Sequence, residues 1–153
     1  MSYEHLLREA AQQKVDTYEM PMTSRNKGFY SDKVIWINKH ISTNIEKACI
    51  LAEELGHYYT TSGDITNQSV LCNRKQEKRA RNWGYNRLIS LDMIIEAHKC
   101  GIRNRYELAN YIGVTEEFLD STIHHFQEKY GFSATVGKYT ICFEPLSVIE
   151  WFE

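Results

Sequence analysis

The stretch from residue 48 to residue 59 constrains the fold more than any other part of the chain. It reads Ala48-Cys49-Ile50-Leu51-Ala52-Glu53-Glu54-Leu55-Gly56-His57-Tyr58-Tyr59. Apolar residues fall on nearly every face of a helix drawn through it, which predicts a buried helix. Thr43 and Glu46 form a capping box that starts this helix at Asn44. We expect it to run to about Thr60 and to be stopped by Gly63.

Two glutamates and a histidine interrupt this apolar helix. Buried carboxylates are costly unless they are paired or bind a metal. Glu53 and His57 are four residues apart and share one helical face, so both can bind one ion from the same side. Glu54 can then stand beside the metal without binding it, where a general base takes a proton from the attacking water. The alternatives are a Glu53–His57 pair that stabilises a buried helix, and a Glu54 carboxylate paired with Arg87.

A catalytic zinc ion needs a third protein ligand and an open fourth position. The best candidate is Glu77, in a basic helix predicted from Asn73 to Ile89. Helical spacing aligns Glu77 with the apolar stripe of that helix, so we expect its side chain to face inward; the stripe consists of Ala80, Gly84, Leu88 and Leu91. The alternative is an ordinary ion pair with Arg81, one turn further along the helix.

Small residues on both helices predict close packing between them. Gly56 costs about 1 kcal/mol in a helix interior relative to alanine, and a close backbone contact with the neighbouring helix would explain its presence. Ala80 and Gly84 would allow the basic helix to approach the central helix closely.

These residues resemble the ImmA/IrrE family of metallopeptidases, which carry the motif His-Glu-x-x-His and a downstream glutamate as third ligand. The similar segments are Ile50–His57, Gly63-Asp64, Glu77-x-x-Ala80 and the upstream Gly28-Phe29-Tyr30…Ile35-Trp36-Ile37. The resemblance implies a zincin-like core, with His57 and Glu77 as zinc ligands and Glu54 as catalytic base.

The first motif position departs from the family pattern, because Glu53 stands where the family has histidine. Glutamate is an acceptable zinc ligand. Two carboxylate ligands, Glu53 and Glu77, would make the metal a weaker Lewis acid and shift the preference of the site toward harder ions. We therefore expect zinc, with Mn²⁺ or Mg²⁺ as possible substitutes.

The resemblance also implies a function and a partner. Members of the family cleave a helix-turn-helix transcriptional repressor and so derepress phage or mobile-element genes. The strand around Val34–Ile37 would then lie beside the cleft, where an extended peptide could pair with its edge. The alternative function is that of a non-catalytic antirepressor, or partner-binding protein, on the same scaffold.

The remaining pattern predicts an α+β, mostly helical fold. Helices are expected from Ser2 to about Val15, from Ser90 to Gly101, at Arg105–Tyr111 and at Glu116–Tyr130; β-hairpins are expected at 28–38 and at 134–144, the second ended by Pro145. We expect residues 1–91 to be a zincin-like peptidase core. Residues 92–153 would be a helical C-terminal subdomain ending in a hairpin, with both parts in one compact unit.

Composition excludes several other functions. The net charge is −2 and no apolar stretch approaches the ~20 residues that span a bilayer. The first residues lack an apolar signal core and the four cysteines form no CxxC pair, so we expect a cytoplasmic protein with free thiols. Residues 107–119 resemble a helix-turn-helix, but the second helix would open with Glu116, Glu117 and Asp120, which would repel phosphates. We expect no direct contact with nucleic acid.

Overall fold

The computed structural model of the chain describes residues 1–61 and 70–152, with the backbone alone at residues 70–72. The fold is α+β and mostly helical, as predicted. The chain divides into two compact units, Met1–Leu88 and Ile89–Glu153. The assignment of residues 1–91 as a peptidase core and 92–153 as an accessory subdomain stays a prediction.

The N-terminal unit contains three helices and three strands among the described residues. They are α1 (Tyr3–Gln12), β1 (Asp16–Met20), β2 (Gly28–Ser31), β3 (Val34–Asn38), α2 (Asn44–Thr60) and α3 (Val70–Leu88). Thr43 caps α2 as predicted, because its hydroxyl accepts a hydrogen bond from the Glu46 N–H at 3.1 Å. Helix α1 ends at Gln12, earlier than expected, and Lys14 follows with a φ of 60°. The predicted stop at Gly63 and the neighbouring Asp64 lie outside the described residues.

The sheet of this unit has the order β1-β3-β2, so β3 is its middle strand. β2 and β3 form the predicted hairpin, with positive φ at Asp32 and Lys33. β1 pairs with β3 in parallel and was not predicted, because its residues show no alternation of buried and exposed positions. Both edges of β3 are occupied, so the expectation that a peptide pairs with the Val34–Ile37 strand is wrong. The edge strands of this sheet are β1 and β2.

Helices α2 and α3 pack through their backbones. A Cβ atom added at Gly56 would lie 2.1 Å from the carbonyl oxygen of Ala80, which no side chain could tolerate. A Cβ added at Gly84 would lie 3.3 Å from the carbonyl of Ala52. Both expectations from the small residues are therefore confirmed. The side chains of Leu51, Leu55 and Leu88 are fully buried in the same unit.

The segment before β2 is held by one buried amide. Asn38 is 4% exposed, and its side chain donates to the carbonyl oxygens of Met22, Thr23 and Asn26 at 2.8–3.4 Å. Its amide oxygen accepts from the Met22 N–H at 3.3 Å. One side chain thus fixes the course of the loop that enters β2, and so fixes the position of that edge strand.

The C-terminal unit contains α4 (Leu91–Lys99), α5 (Arg105–Ile112), α6 (Glu116–Tyr130), β4 (Ser133–Val136), β5 (Tyr139–Phe143) and β6 (Leu146–Glu150). Ser90, Asn104 and Thr115 cap its three helices as predicted. The predicted hairpin is formed by β4 and β5, and β5 ends at Phe143, just before Pro145. The expectation that the chain ends in this hairpin is wrong, because β6 follows the turn and pairs with β5. The unit therefore ends in a three-stranded sheet rather than a two-stranded hairpin.

Candidate metal centre

Three of the four predicted site residues come together at the junction of α2 and α3. Glu53, His57 and Glu77 each offer one ligand atom, and these atoms lie within 4.8 Å of one another. Glu53 and His57 occupy one face of α2, while Glu77 comes from α3. Gly56 lies between Glu53 and His57 on α2, and Ala80 lies one turn after Glu77 on α3, so the backbone contact of Gly56 with Ala80 sets how closely the two sources of ligands approach.

The His57 ring is held from two sides. Its Nε2 lies 3.4 Å from Glu77 Oε1. The ring of Tyr30, on β2, is stacked parallel to it, with an interplanar angle of 7° and centroids 6.4 Å apart. Sequence reasoning did not single out Tyr30, because only the pairing of β2 and its approach to α2 bring the two rings together.

Glu77 lies closer to solvent than its helical stripe predicted. Its side chain is 49% exposed, so the expectation that it faces the interior is wrong. Ala80, Gly84 and Leu88 further along α3 are buried as expected, and Glu77 lies where this stripe reaches solvent. Among the described residues, Arg81 forms an ion pair with Glu53 and not with Glu77.

Glu53 has a cationic partner from the neighbouring helix. Arg81 Nε donates to Glu53 Oε1 at 3.1 Å, and the two side chains are 55% and 35% exposed. This bond raises the pKa of the Arg81 guanidinium further above its usual value. The Glu53 carboxylate therefore lies within reach of both the candidate metal position and a guanidinium group.

Glu54 is the most deeply buried carboxylate of the site. It is 8% exposed, and burial raises its pKa to about 8, with further contributions from the negative charges of Glu53 and Glu77. The alternative partner Arg87 is engaged elsewhere, in an ion pair with Glu9 at 3.1 Å. A carboxyl group with a pKa near neutrality is suited to accept and return a proton.

Gly28 brings the edge strand against this carboxylate. A Cβ at Gly28 would lie 2.7 Å from Ile50 Cγ2 and 3.1 Å from Glu54 Oε1. Only glycine allows β2 to run this close to α2. The resulting cleft has a volume of about 470 Å³, and its walls are the residues of β2 on one side and Glu53, Glu54, His57 and Glu77 on the other.

The chain was compared with families of known proteins. A family model described as Peptidase_M78, the IrrE N-terminal-like domain, matches residues 10–124. The chain belongs to this family. Comparisons with curated proteins and with solved structures each found no match. Membership of the IrrE N-terminal-like family indicates a metal-dependent protease of the IrrE/ImmA type that acts on a protein substrate.

The donor set of this IrrE-like protein fits a divalent metal ion. Two carboxylates and one imidazole are ligand types that zinc accepts, at bond lengths of about 2.0–2.2 Å. Such bonds place ligand atoms about 3.4 Å apart, and the two partly exposed carboxylates can close the difference from 4.8 Å by side-chain rotation. Two carboxylates, Glu53 and Glu77, also lie near the single guanidinium of Arg81, which leaves a net negative charge for a cation to balance.

A second depression lies within the C-terminal unit and has a volume of about 440 Å³. Its walls include His98, Arg103, Arg105 and Glu144, with apolar residues of α4 and β6. Among residues 1–61 and 73–152, Glu53, His57 and Glu77 are the one group of three that could hold a metal. This group lies in the cleft between β2 and α2, which makes that cleft the candidate metal centre.

Two further expectations concern the remaining chain. In the part that the structure describes, no helix is long and apolar enough to cross a membrane. Among the described residues, Cys49, Cys100 and Cys142 form no disulfide bond, and Cys49 is buried in α2 as its apolar surroundings predicted. The side chain of Cys72 lies outside the described residues.

Proposed function

We propose that the protein is a metal-dependent endopeptidase that cleaves a helix-turn-helix transcriptional repressor and so derepresses phage or mobile-element genes. The observation that carries the proposal is the approach of Glu53, His57 and Glu77 to within 4.8 Å, beside the buried Glu54. Membership of the IrrE N-terminal-like family supports the reaction class. The repressor as substrate comes from the family resemblance, and a repressor substrate supports a cytoplasmic location for the protein.

In this mechanism Glu53, His57 and Glu77 would hold a zinc ion, with Mn²⁺ or Mg²⁺ as alternatives. A metal ion bound there would supply Lewis-acid chemistry for the scissile carbonyl and the attacking water. Glu54 takes the proton of the attacking water and passes it to the leaving amine. Its burial at 8% exposure keeps bulk water from competing for that proton.

The edge of β2 positions the substrate. Among the described strands β2 pairs with β3 alone, so its other edge is available for main-chain hydrogen bonds. β2 also forms one wall of the cleft, and Gly28 brings this wall within contact distance of Glu54. An extended repressor segment added to this edge would present its peptide bond to the metal and the base.

The test is incubation of the purified chain with the helix-turn-helix protein encoded beside its gene, followed by intact mass measurement. The native chain is expected to give two fragments whose masses sum to the substrate plus one water. Glu54→Gln is expected to bind the same amount of metal but to cleave about 10²–10⁴-fold more slowly. Full cleavage by that variant would remove Glu54 from the mechanism. Glu117→Gln, an exposed glutamate on α6, is the matched control.

A second function, that of a non-catalytic antirepressor, is favoured by one observation. Glu53 replaces the first motif histidine, and its carboxylate is bonded to Arg81 at 3.1 Å. Purified protein with no metal by elemental analysis, an unchanged partner mass and measurable partner affinity would select this function. About one metal per chain together with fragments would reject it.

A further inference from the structure

We propose that Arg81 is a positioning residue that compensates the charge of Glu53, so that this altered site keeps the electrostatics of a site with two histidines and one glutamate. The inference rests on the proposed function and concerns the same metal site. It begins from the contact between Arg81 Nε and Glu53 Oε1 at 3.1 Å.

The argument is a count of charges. The family motif supplies two neutral histidines and one carboxylate to a divalent ion, which leaves a net charge of +1. Glu53, His57 and Glu77 supply two carboxylates and leave a net charge of zero. The guanidinium of Arg81, bonded to Glu53, returns the count to +1. A positive centre polarises a carbonyl more strongly than a neutral one, so the compensation favours hydrolysis.

The position of Arg81 suits this role. It lies on α3 one turn after Glu77, so one helix delivers both a ligand and the compensating charge. It bonds to the residue that departs from the family motif and not to Glu77, the ligand that matches it. A guanidinium that draws electron density from Glu53 also makes this carboxylate a weaker donor. The preference of the site then moves back from Mn²⁺ toward zinc.

The exposure of the pair limits the size of the effect. Arg81 is 55% exposed and Glu53 is 35% exposed, so solvent and salt screen their interaction. The compensation is therefore expected to be strongest at low ionic strength and to weaken as salt is added.

The first experiment measures the affinities of the full chain for Zn²⁺ and Mn²⁺ by competition with a chelator, together with cleavage at saturating metal. Arg81→Gln removes a positive charge, so it is expected to bind both ions more tightly, on the order of tenfold at low salt. Its Mn²⁺ affinity should rise more than its Zn²⁺ affinity, and its cleavage rate should fall. Tighter metal with slower cleavage is a result that loss of structure would not produce.

Two matched variants complete this experiment. Arg81→Lys keeps the positive charge and is expected to retain the metal affinity and the metal selectivity of the native chain. Arg79→Gln removes an exposed arginine from the same helix and is expected to behave as the native chain. If Arg81→Gln matches Arg79→Gln in both affinities, charge compensation is wrong while the proposed function stands. If the native chain binds neither ion, the proposed function fails and the compensation fails with it.

A double-mutant cycle tests the pairing itself. Glu53→His restores the family motif and removes the partner of Arg81. In that background Arg81→Gln is expected to change metal affinity by less than threefold, because the guanidinium is no longer held at the site. An effect as large as in the native background would show that Arg81 acts independently of Glu53, and would overturn the pairing.

Discussion

In the N-terminal unit, a Cβ atom added at Gly56 would lie only 2.1 Å from the carbonyl oxygen of Ala80. In the C-terminal unit, a Cβ atom added at Gly113 would meet no described residue within 4 Å other than the local backbone and the adjoining residues, and the φ of Gly113 is +88°. The first glycine permits the close approach of two helices, and the second permits a left-handed residue at the end of α5.

The acidic residues of the two units differ in the same way. Glu54 is buried in the middle of α2 with its pKa raised to about 8. Glu116 and Glu117 lie in the first turn of α6, where the helix dipole favours negative charge. The N-terminal unit therefore holds a carboxyl group where burial is unfavourable for its charge, whereas the acidic residues of α6 lie where they stabilise the helix. Four substitutions test this contrast.

The largest effect is expected for Gly56→Ala. The new methyl group would collide with the backbone of α3, and we expect a loss of about 2–3 kcal/mol of unfolding free energy despite the gain in helix propensity. Chemical denaturation measures this loss. Gly84→Ala, with its nearest contact at 3.3 Å, is the control and should change stability by less than about 1 kcal/mol. Equal losses of unfolding free energy for Gly56→Ala and Gly84→Ala would show that the 2.1 Å approach of Ala80 does not restrict the residue at position 56.

Glu54→Gln is expected to stabilise the chelator-treated protein above neutral pH. The pKa of Glu54 is about 8 in the folded chain against an ordinary 4.5, so the folded state holds this proton while the unfolded state has lost it. Stability therefore falls as pH rises from 4.5 to 8, and the loss is complete above 8. The glutamine variant lacks this loss.

The advantage of the Glu54→Gln variant should reach at least about 2 kcal/mol at pH 9 and vanish below pH 4.5. Thermal denaturation of both proteins across this range measures the difference. Glu117→Gln, at an exposed position, should show no such pH-dependent gain. If the difference in stability between the two proteins stays constant from pH 4 to pH 9, burial does not raise the pKa of Glu54.

Gly113→Ala is expected to cost about 1 kcal/mol, because alanine is strained at a φ of +88° even with free space around it. Gly113→Asn should cost less, since asparagine tolerates this region better. Chemical denaturation of the two variants separates strain from crowding. A larger loss for asparagine would indicate crowding that the open surroundings of Gly113 do not show.

The smallest effect is expected for Arg105→Gln. Arg105 pairs with Asp120 and Glu144 within the C-terminal unit, and all three side chains are at least one third exposed. Exposed pairs of this kind contribute little, so we expect a loss of at most about 0.5–1 kcal/mol that shrinks with added salt. A loss above 2 kcal/mol would place this pair among the groups that hold the C-terminal unit together.

The capped starts of helices were the features most readily predicted from the sequence. Thr43, Ser90, Asn104 and Thr115 each cap a helix, because a capping side chain bonds to a backbone N–H only three residues away. Strand pairing depends on distant residues and was predicted less well. β1 pairs with β3, but the side chains of β1 are mostly exposed, so its sequence lacks the alternation that predicts a strand.

The candidate site was predicted in the same uneven way. The sequence predicted the three groups that approach one another: Glu53 and His57 from their spacing on one helix, and Glu77 from the family resemblance. The sequence did not reveal the stacking of Tyr30 on His57, the bond from Arg81 to Glu53 or the role of Asn38 in fixing the loop before β2. Each depends on how separate elements lie against one another, which residue spacing does not encode.

The backbone contact between α2 and α3 has a consequence for genetic screens. Gly56 and Gly84 lie on these helices and have no side chain that could bind a metal or accept a proton. An added methyl group at Gly56 would nevertheless shift one helix against the other and move the candidate ligands with it. A random library scored for loss of peptidase function should therefore recover substitutions at small residues along this seam as well as at the four chemical groups. The positions of these substitutions would show how large a side chain the contact between α2 and α3 accommodates near the candidate metal site.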